Sequence, residues 1–218
     1  IPLDDETLER LIQPGNEVRI IGITALTATC ARAYEIADKI KRLNSEVTVV
    51  LGSVHPTVLP EEALHHKGVD IVLRGEGEIT FAELVDSISN RRDYTEIKGI
   101  SFKRAGGFVH NPDRPLIEDL DTLPPFPYHL FEKQMDRYAG FSSVQTSRGC
   151  PYGCVFCSQR SISGRTYRYT SARRAVADIE VLVEKYKATT IRLMDDNIGV
   201  NKKRLMEQIG RASCRESV

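Results

Sequence analysis

The chain has 218 residues, 30 Lys plus Arg against 30 Asp plus Glu, and five Cys, which leaves room for one or two domains. A formal net charge of zero argues against a nucleic-acid partner, because such partners select a basic excess. No apolar run approaches the length of a membrane span, and Ile1-Pro2-Leu3-Asp4-Asp5 is neither a signal nor a transit peptide, so a reducing cytoplasm is expected.

In chain order, Asp4 to Ile12 has the pattern of a helix that stops at Pro14-Gly15, and Val18 to Ile23 reads as a buried strand. Ala33, Ile36, Ala37, Ile40 and Leu43 have helical spacing. Val47 to Leu51 and Ile71 to Leu73 are further strands, and Phe81, Leu84, Val85 and Ile88 form another helical stripe. Strands alternating with helices predict a parallel sheet covered on both faces, with ligands at the strands' carboxyl ends. Between Ile97 and Val109, two β-prone runs flank Gly106-Gly107 as a hairpin. Leu123-Pro124-Pro125-Phe126-Pro127 then forbids regular pairing. Phe141 to Thr146 is a fresh strand and Ser171 caps a helix with the stripe Val176, Ile179, Leu182, Val183 and Tyr186. Thr190 to Met194 is the next strand, closed by Asp195-Asp196-Asn197 and followed by a helix over Lys202–Ile209. Ile209 to Val218 reads as the translation of a sequencing-library adapter, which would remove Cys214 from every cysteine argument. The absent initiator methionine predicts a chain that begins partway through a gene product.

Cys150, Cys154 and Cys157 stand in the run Ser147-Arg148-Gly149-Cys150-Pro151-Tyr152-Gly153-Cys154-Val155-Phe156-Cys157. The C-x3-C-x2-C spacing puts three thiolates on one short loop, close enough to hold a single polynuclear centre. A [4Fe–4S] cluster normally takes four thiolates, so three leave one iron open, and an open metal position is where a ligand binds and reacts. Zinc is the alternative. It wants four ligands, and the fourth would be His129 or Cys214. A disulfide leaves one cysteine over.

This loop resembles the cluster-binding loop of the radical S-adenosylmethionine (SAM) enzymes. The resemblance implies that the open iron chelates the amino and carboxylate groups of SAM, and that an electron cleaves a carbon–sulfur bond to give a 5′-deoxyadenosyl radical. It implies an electron donor such as flavodoxin or ferredoxin and a small-molecule substrate. Asp195, Asp196 and Asn197 would hold the SAM amino group, or else cap the following helix. Phe156 would pack near the adenine, or shield iron from water.

The first ninety residues lack the dinucleotide fingerprint G-x-G-x-x-G. Ile23-Thr24-Ala25-Leu26-Thr27, Gly52-Ser53-Val54-His55-Pro56-Thr57, Pro60-Glu61-Glu62 and Val69 to Glu78 instead resemble the Rossmann-like cobalamin-binding domain fused to radical SAM enzymes. By that resemblance, Thr24, Leu26 and Thr27 line the slot for the dimethylbenzimidazole tail. Gly52 and Ser53 stand where a glycine pair lets the backbone approach the nucleotide, although a serine opposes positive φ. His55, Glu76, Gly77 and Glu78 complete the candidate set. The plainer alternatives are a loop histidine and two carboxylates favoured by a helix start.

The reading is an α/β chain with a cobalamin-binding Rossmann-like domain at 1–90 and a hairpin and connector at 91–140. The start of a (β/α) radical SAM barrel follows at 141–208, with the adapter-like tail at 209–218. The family resemblance implies radical methyl transfer, or oxidative ring closure as in the anaerobic Mg-protoporphyrin ester cyclase. No acid or base is assigned a catalytic role. Two alternatives are carried. A methylthiotransferase needs three more N-terminal cysteines, where only Cys30 is present. A corrinoid or iron–sulfur module could hold its cofactors without turnover.

Overall fold

Short β-branched runs build the centre of the first half of the computed structural model, which describes residues 5–13, 15, 17–137 and 141–213. Strands β1 (Ile20–Thr24), β2 (Thr48–Gly52) and β3 (Ile71–Leu73) pair in parallel, with Ile20 opposite Thr48 and Val50 opposite Ile71. Side chains alternate across them. Val49, Leu51 and Val72 enter one core cluster, while Val50, Ile71 and Leu73 enter another. A sheet that is apolar on both faces needs cover on both. Helices α1 (Asp5–Ile12) and α2 (Cys30–Leu43) supply it on one side with Leu8, Ile12, Ala33, Tyr34, Ala37 and Ile40. The short α3 (Val54–Val58) leads into α4 (Pro60–His65), whose Ala63 and Leu64 join the same cluster. Helix α5 (Gly77–Ser89) covers the other face through Leu84 and Phe81.

The hairpin departs from the expected connector. Strands β4 (Ile100–Arg104) and β5 (Gly107–His110) extend the sheet in the order β1-β2-β3-β4-β5, with β4 antiparallel to β3. The sheet is therefore mixed, not wholly parallel. Ile100 and Phe102 lie opposite Leu73 and Ile71 and continue the same apolar face, which explains the docking. The chain divides into two compact units, one running to Leu116 and one from Ile117.

In the second unit, β6 (Ser143–Val144) opens an excursion. It contains β7 (Ser147–Arg148), the short α6 (Arg160–Ser163) and β8 (Arg168–Tyr169), with β8 antiparallel to β7. Helix α7 (Ala172–Glu180) starts at Ser171, whose Oγ accepts from Arg174 N at 3.1 Å, as the capping rule predicts. A π-turn at Val181–Lys185 prolongs it. Strand β9 (Arg192–Leu193) then pairs in parallel with β6, which makes β6, α7 and β9 a βαβ unit around Phe141, Val144 and Leu182. Helix α8 (Lys202–Ser213) includes residues 209–213 of the adapter-like stretch, while Cys214 and the rest of that stretch lie outside the described residues. Among the described residues no helix is long and apolar enough to cross a membrane.

Candidate functional site

In open α/β sheets ligands settle beyond the strands' carboxyl ends. Strands β1 and β2 finish level, with Thr24 opposite Gly52, and the loops beyond are stitched together. Ala25 N donates to Gly52 O at 3.0 Å and His55 N donates to Ala25 O at 3.3 Å. Gly75 N donates to Thr57 Oγ1 at 3.1 Å, which ties in the third strand end. One rim thus brings together Thr24, Leu26, Thr27, Gly52 and Ser53, with Glu76 at the N-cap of α5 and Gly77 and Glu78 in its first turn. Thr24, Leu26 and Thr27 are exposed.

Two residues depart from expectation. Ser53 adopts φ +86° and ψ −162° despite its Cβ, because its carbonyl is held by Thr57 N at 3.2 Å and Thr57 Oγ1 at 2.7 Å. His55 is buried, at 6% exposure, with both ring nitrogens engaged. Its Nε2 lies 2.7 Å from Glu62 Oε2 and its Nδ1 3.3 Å from Thr27 Oγ1. Tyr34 Oη donates to the same Glu62 oxygen at 2.6 Å. Burial alone would raise the Glu62 carboxyl, but hydrogen bonds from Tyr34 and His55 hold it below its ordinary range. Burial, followed by the bond to Glu62, pushes the Tyr34 phenol up. No residue pattern singles out Tyr34, and Glu62 stands out only as part of the segment Pro60-Glu61-Glu62.

The cysteine loop is held at its base by the aspartates that end β9. Gly149 has φ +82°, and a Cβ there would meet Thr166 O at 2.2 Å, so only glycine fits. Gly149 N donates to Asp196 Oδ2 at 2.8 Å. Asp195 Oδ1 accepts from Thr146 N at 3.1 Å, from Thr146 Oγ1 at 3.0 Å and from Ser147 Oγ. Its Oδ2 is buried with no protein partner. Asn197 Oδ1 accepts from Gly199 N at 3.2 Å, whereas α8 is capped by Asn201, which accepts from Arg204 N at 3.0 Å. None of the three strand-end residues therefore caps that helix.

Arg204, 4% exposed, is the residue that sequence reasoning missed. Its Nε donates to Thr170 O at 3.0 Å and its Nη2 to Thr146 O at 2.9 Å. Thr170 N also donates to Thr146 O at 3.0 Å. The two ends of the cysteine-bearing excursion are thus pinned to each other. Helix α8 buries Arg204 and Gln208 while Met206 and Ile209 stay exposed, so hydrophobic patterning points to the wrong face.

Cys150, Cys154 and Cys157 are free thiols, the last two exposed. Cys157 N donates to Cys154 O at 3.2 Å and closes a turn between them. Phe156 is 89% exposed. Among the described residues no three His, Cys, Asp or Glu side chains lie close enough to hold a metal ion, so the sulfurs share a loop without converging. The donor chemistry still suits an iron–sulfur centre, with three unpaired thiols on an exposed loop whose base is fixed.

Residues 2–85 match the family model of the B12 binding domain. The first unit carries a B12-binding domain. The chain is 40% identical over 193 residues to an uncharacterized methyltransferase, PH0819, of Pyrococcus horikoshii, covering 86% of this chain and 42% of that protein. Over 197 residues it is 30% identical to the anaerobic magnesium-protoporphyrin IX monomethyl ester cyclase of Rubrivivax gelatinosus, covering 86% and 35%. A solved structure of the radical S-adenosylmethionine methyltransferase TsrM from Kitasatospora setae, with cobalamin and a [4Fe-4S] cluster bound, matches with TM-score 0.74 at 21% identity. That match covers 98% of this chain and 44% of TsrM. The chain thus spans less than half the length of these relatives. The resemblance to cobalamin-binding radical SAM proteins holds at the level of the family, and the B12-binding domain has the Rossmann-like α/β fold expected.

Proposed function

We propose that this chain is part of a cytoplasmic, cobalamin-dependent radical SAM enzyme that acts on a small molecule and draws electrons from a flavodoxin or ferredoxin. The observation that supports it is a loop of three free thiols, anchored by Asp195 and Asp196, in the same chain as a B12-binding domain. When bound, a [4Fe–4S] cluster and SAM supply reductive carbon–sulfur cleavage, and cobalamin supplies a methyl group or a redox partner for ring closure.

Cys150, Cys154 and Cys157 would hold the iron as thiolates. Asp196 orients the Gly149 amide and so sets where the loop leaves the strand. The unpartnered Asp195 Oδ2 is the acceptor offered to the SAM ammonium group, with Asn197 beside it in sequence and Phe156 free to fold over the adenine. Thr24, Leu26 and Thr27 would line the tail slot. Gly52 and Ser53 let the nucleotide approach the backbone, and Glu76, Gly77 and Glu78 close the rim.

Anaerobic reconstitution tests the reading. The expected result is about four iron and four sulfide per chain, lost in each of Cys150→Ala, Cys154→Ala and Cys157→Ala, together with tight binding of hydroxocobalamin. Stoichiometric zinc, or iron content indifferent to all three substitutions, would sink it. The chain by itself is expected to be inactive, so SAM and a reductant are added to the reconstituted full-length parent protein, which should yield 5′-deoxyadenosine. A module that only holds both groups would give none.

A further inference from the structure

We infer that Glu62 is a positioning residue for cobalamin, fixing the His55 ring with its proton on Nε2 so that Nδ1 accepts from the Thr27 hydroxyl. The inference rests on the reading of Thr27 as part of the cobalamin rim. An ionised carboxylate can only accept hydrogen bonds. Glu62 Oε2 already accepts from Tyr34 Oη at 2.6 Å and faces His55 Nε2 at 2.7 Å, so that nitrogen carries hydrogen. The hydrogen bonds that hold the Glu62 carboxyl low keep it ionised at neutral pH. His66 closes the outer side, stacked on Tyr34 with ring centroids 3.5 Å apart and its Nε2 3.6 Å from Glu62 Oε1.

In the neutral ring, a proton on Nε2 makes Nδ1 an acceptor. Thr27 Oγ1, 3.3 Å away, then points its hydrogen inward. A threonine hydroxyl is otherwise a free rotor. Held this way, Thr27 turns its lone pairs toward solvent and presents an acceptor, suited to an N–H or O–H donor such as a corrin side-chain amide or a ribose hydroxyl. Tyr34, Glu62, His55 and Thr27 thus form one chain from the α2 core to the rim. Ordering the hydroxyl before the ligand arrives removes that cost from binding.

The test uses the full chain labelled with 15N-histidine, with hydroxocobalamin as the probe. The His55 resonances, assigned by their loss in His55→Gln, should show a pyrrole-type Nε2 and a pyridine-type Nδ1. Glu62→Ala should mix the tautomers and weaken hydroxocobalamin about tenfold, the worth of about one hydrogen bond. Thr27→Val, on an exposed loop, should weaken it equally without moving the His55 tautomer. The double variant should lose little more than either single one. Tyr34→Phe should keep the tautomer, since Glu62 remains. Hydrogen on Nδ1 in the native chain, an unchanged tautomer and affinity in Glu62→Ala, or fully additive losses would each overturn the inference. A native chain that fails to bind hydroxocobalamin would count against the functional reading instead, and the native ring spectrum would still decide where the proton sits.

Discussion

Ser53 holds a backbone conformation that its own side chain opposes. Its φ of +86° with ψ of −162° lies in a region kept almost wholly by glycine, at a cost on the order of 1–3 kcal/mol. Ser53→Gly should relieve that strain, partly offset by the larger entropy of glycine in the unfolded chain. The expected gain is about 1 kcal/mol, read from the denaturation midpoint. The pair of buried Tyr34 and exposed Glu62 gives the same region a pH signature. Tyr34 is raised above its ordinary 10.0 and Glu62 is lowered below its ordinary 4.5. The folded chain keeps a phenolic proton that the unfolded chain releases, so stability present below pH 10.0 is lost as pH rises beyond it. The Glu62 contribution is present above pH 4.5 and is lost as pH falls through its lowered value. Urea titrations across pH should show a plateau between those limits, and Tyr34→Phe should flatten the alkaline side and, by removing one of the hydrogen bonds that hold Glu62 low, weaken the acid side as well.

Among the elements, those with strict periodicity were legible in the sequence. Strands β2 and β3 alternate between two cores, and α5 follows the predicted stripe, because both faces of those strands and one face of that helix must be apolar. The strands expected over Phe141–Thr146 and Thr190–Met194 shrink to pairs of two residues each. An apolar run marks a buried segment, but not how long it stays in register. Helix α8 was legible as a helix and illegible as a clamp, since the groups Arg204 serves are backbone carbonyls that leave no trace in sequence. Arg204→Met should free the neck of the excursion. Two hydrogen bonds from a charged donor are worth about 3–6 kcal/mol, so the Thr170 amide should exchange with deuterium roughly 150- to 25,000-fold faster.

Across the whole molecule, the two stretches proposed to hold cofactors stand out because each is short, with cysteine spacing in one and strand-end loops in the other. What tunes them was not readable. Glu62 reaches His55 across the break between α3 and α4, and Asp195 and Asp196 reach the cysteine loop from the far side of a crossover. Such partners are set by topology, and a single sequence carries no record of it.

The clamp on the excursion also orders events in time. Thr146 and Arg204 are 58 residues apart in the chain, so a ribosome adding ~5–20 residues per second delivers the arginine about 3–12 s after the threonine. During that interval the nascent thiols are already made while their gate stands unlatched. Iron delivered then would meet a slack tether, and iron delivered afterwards a braced one.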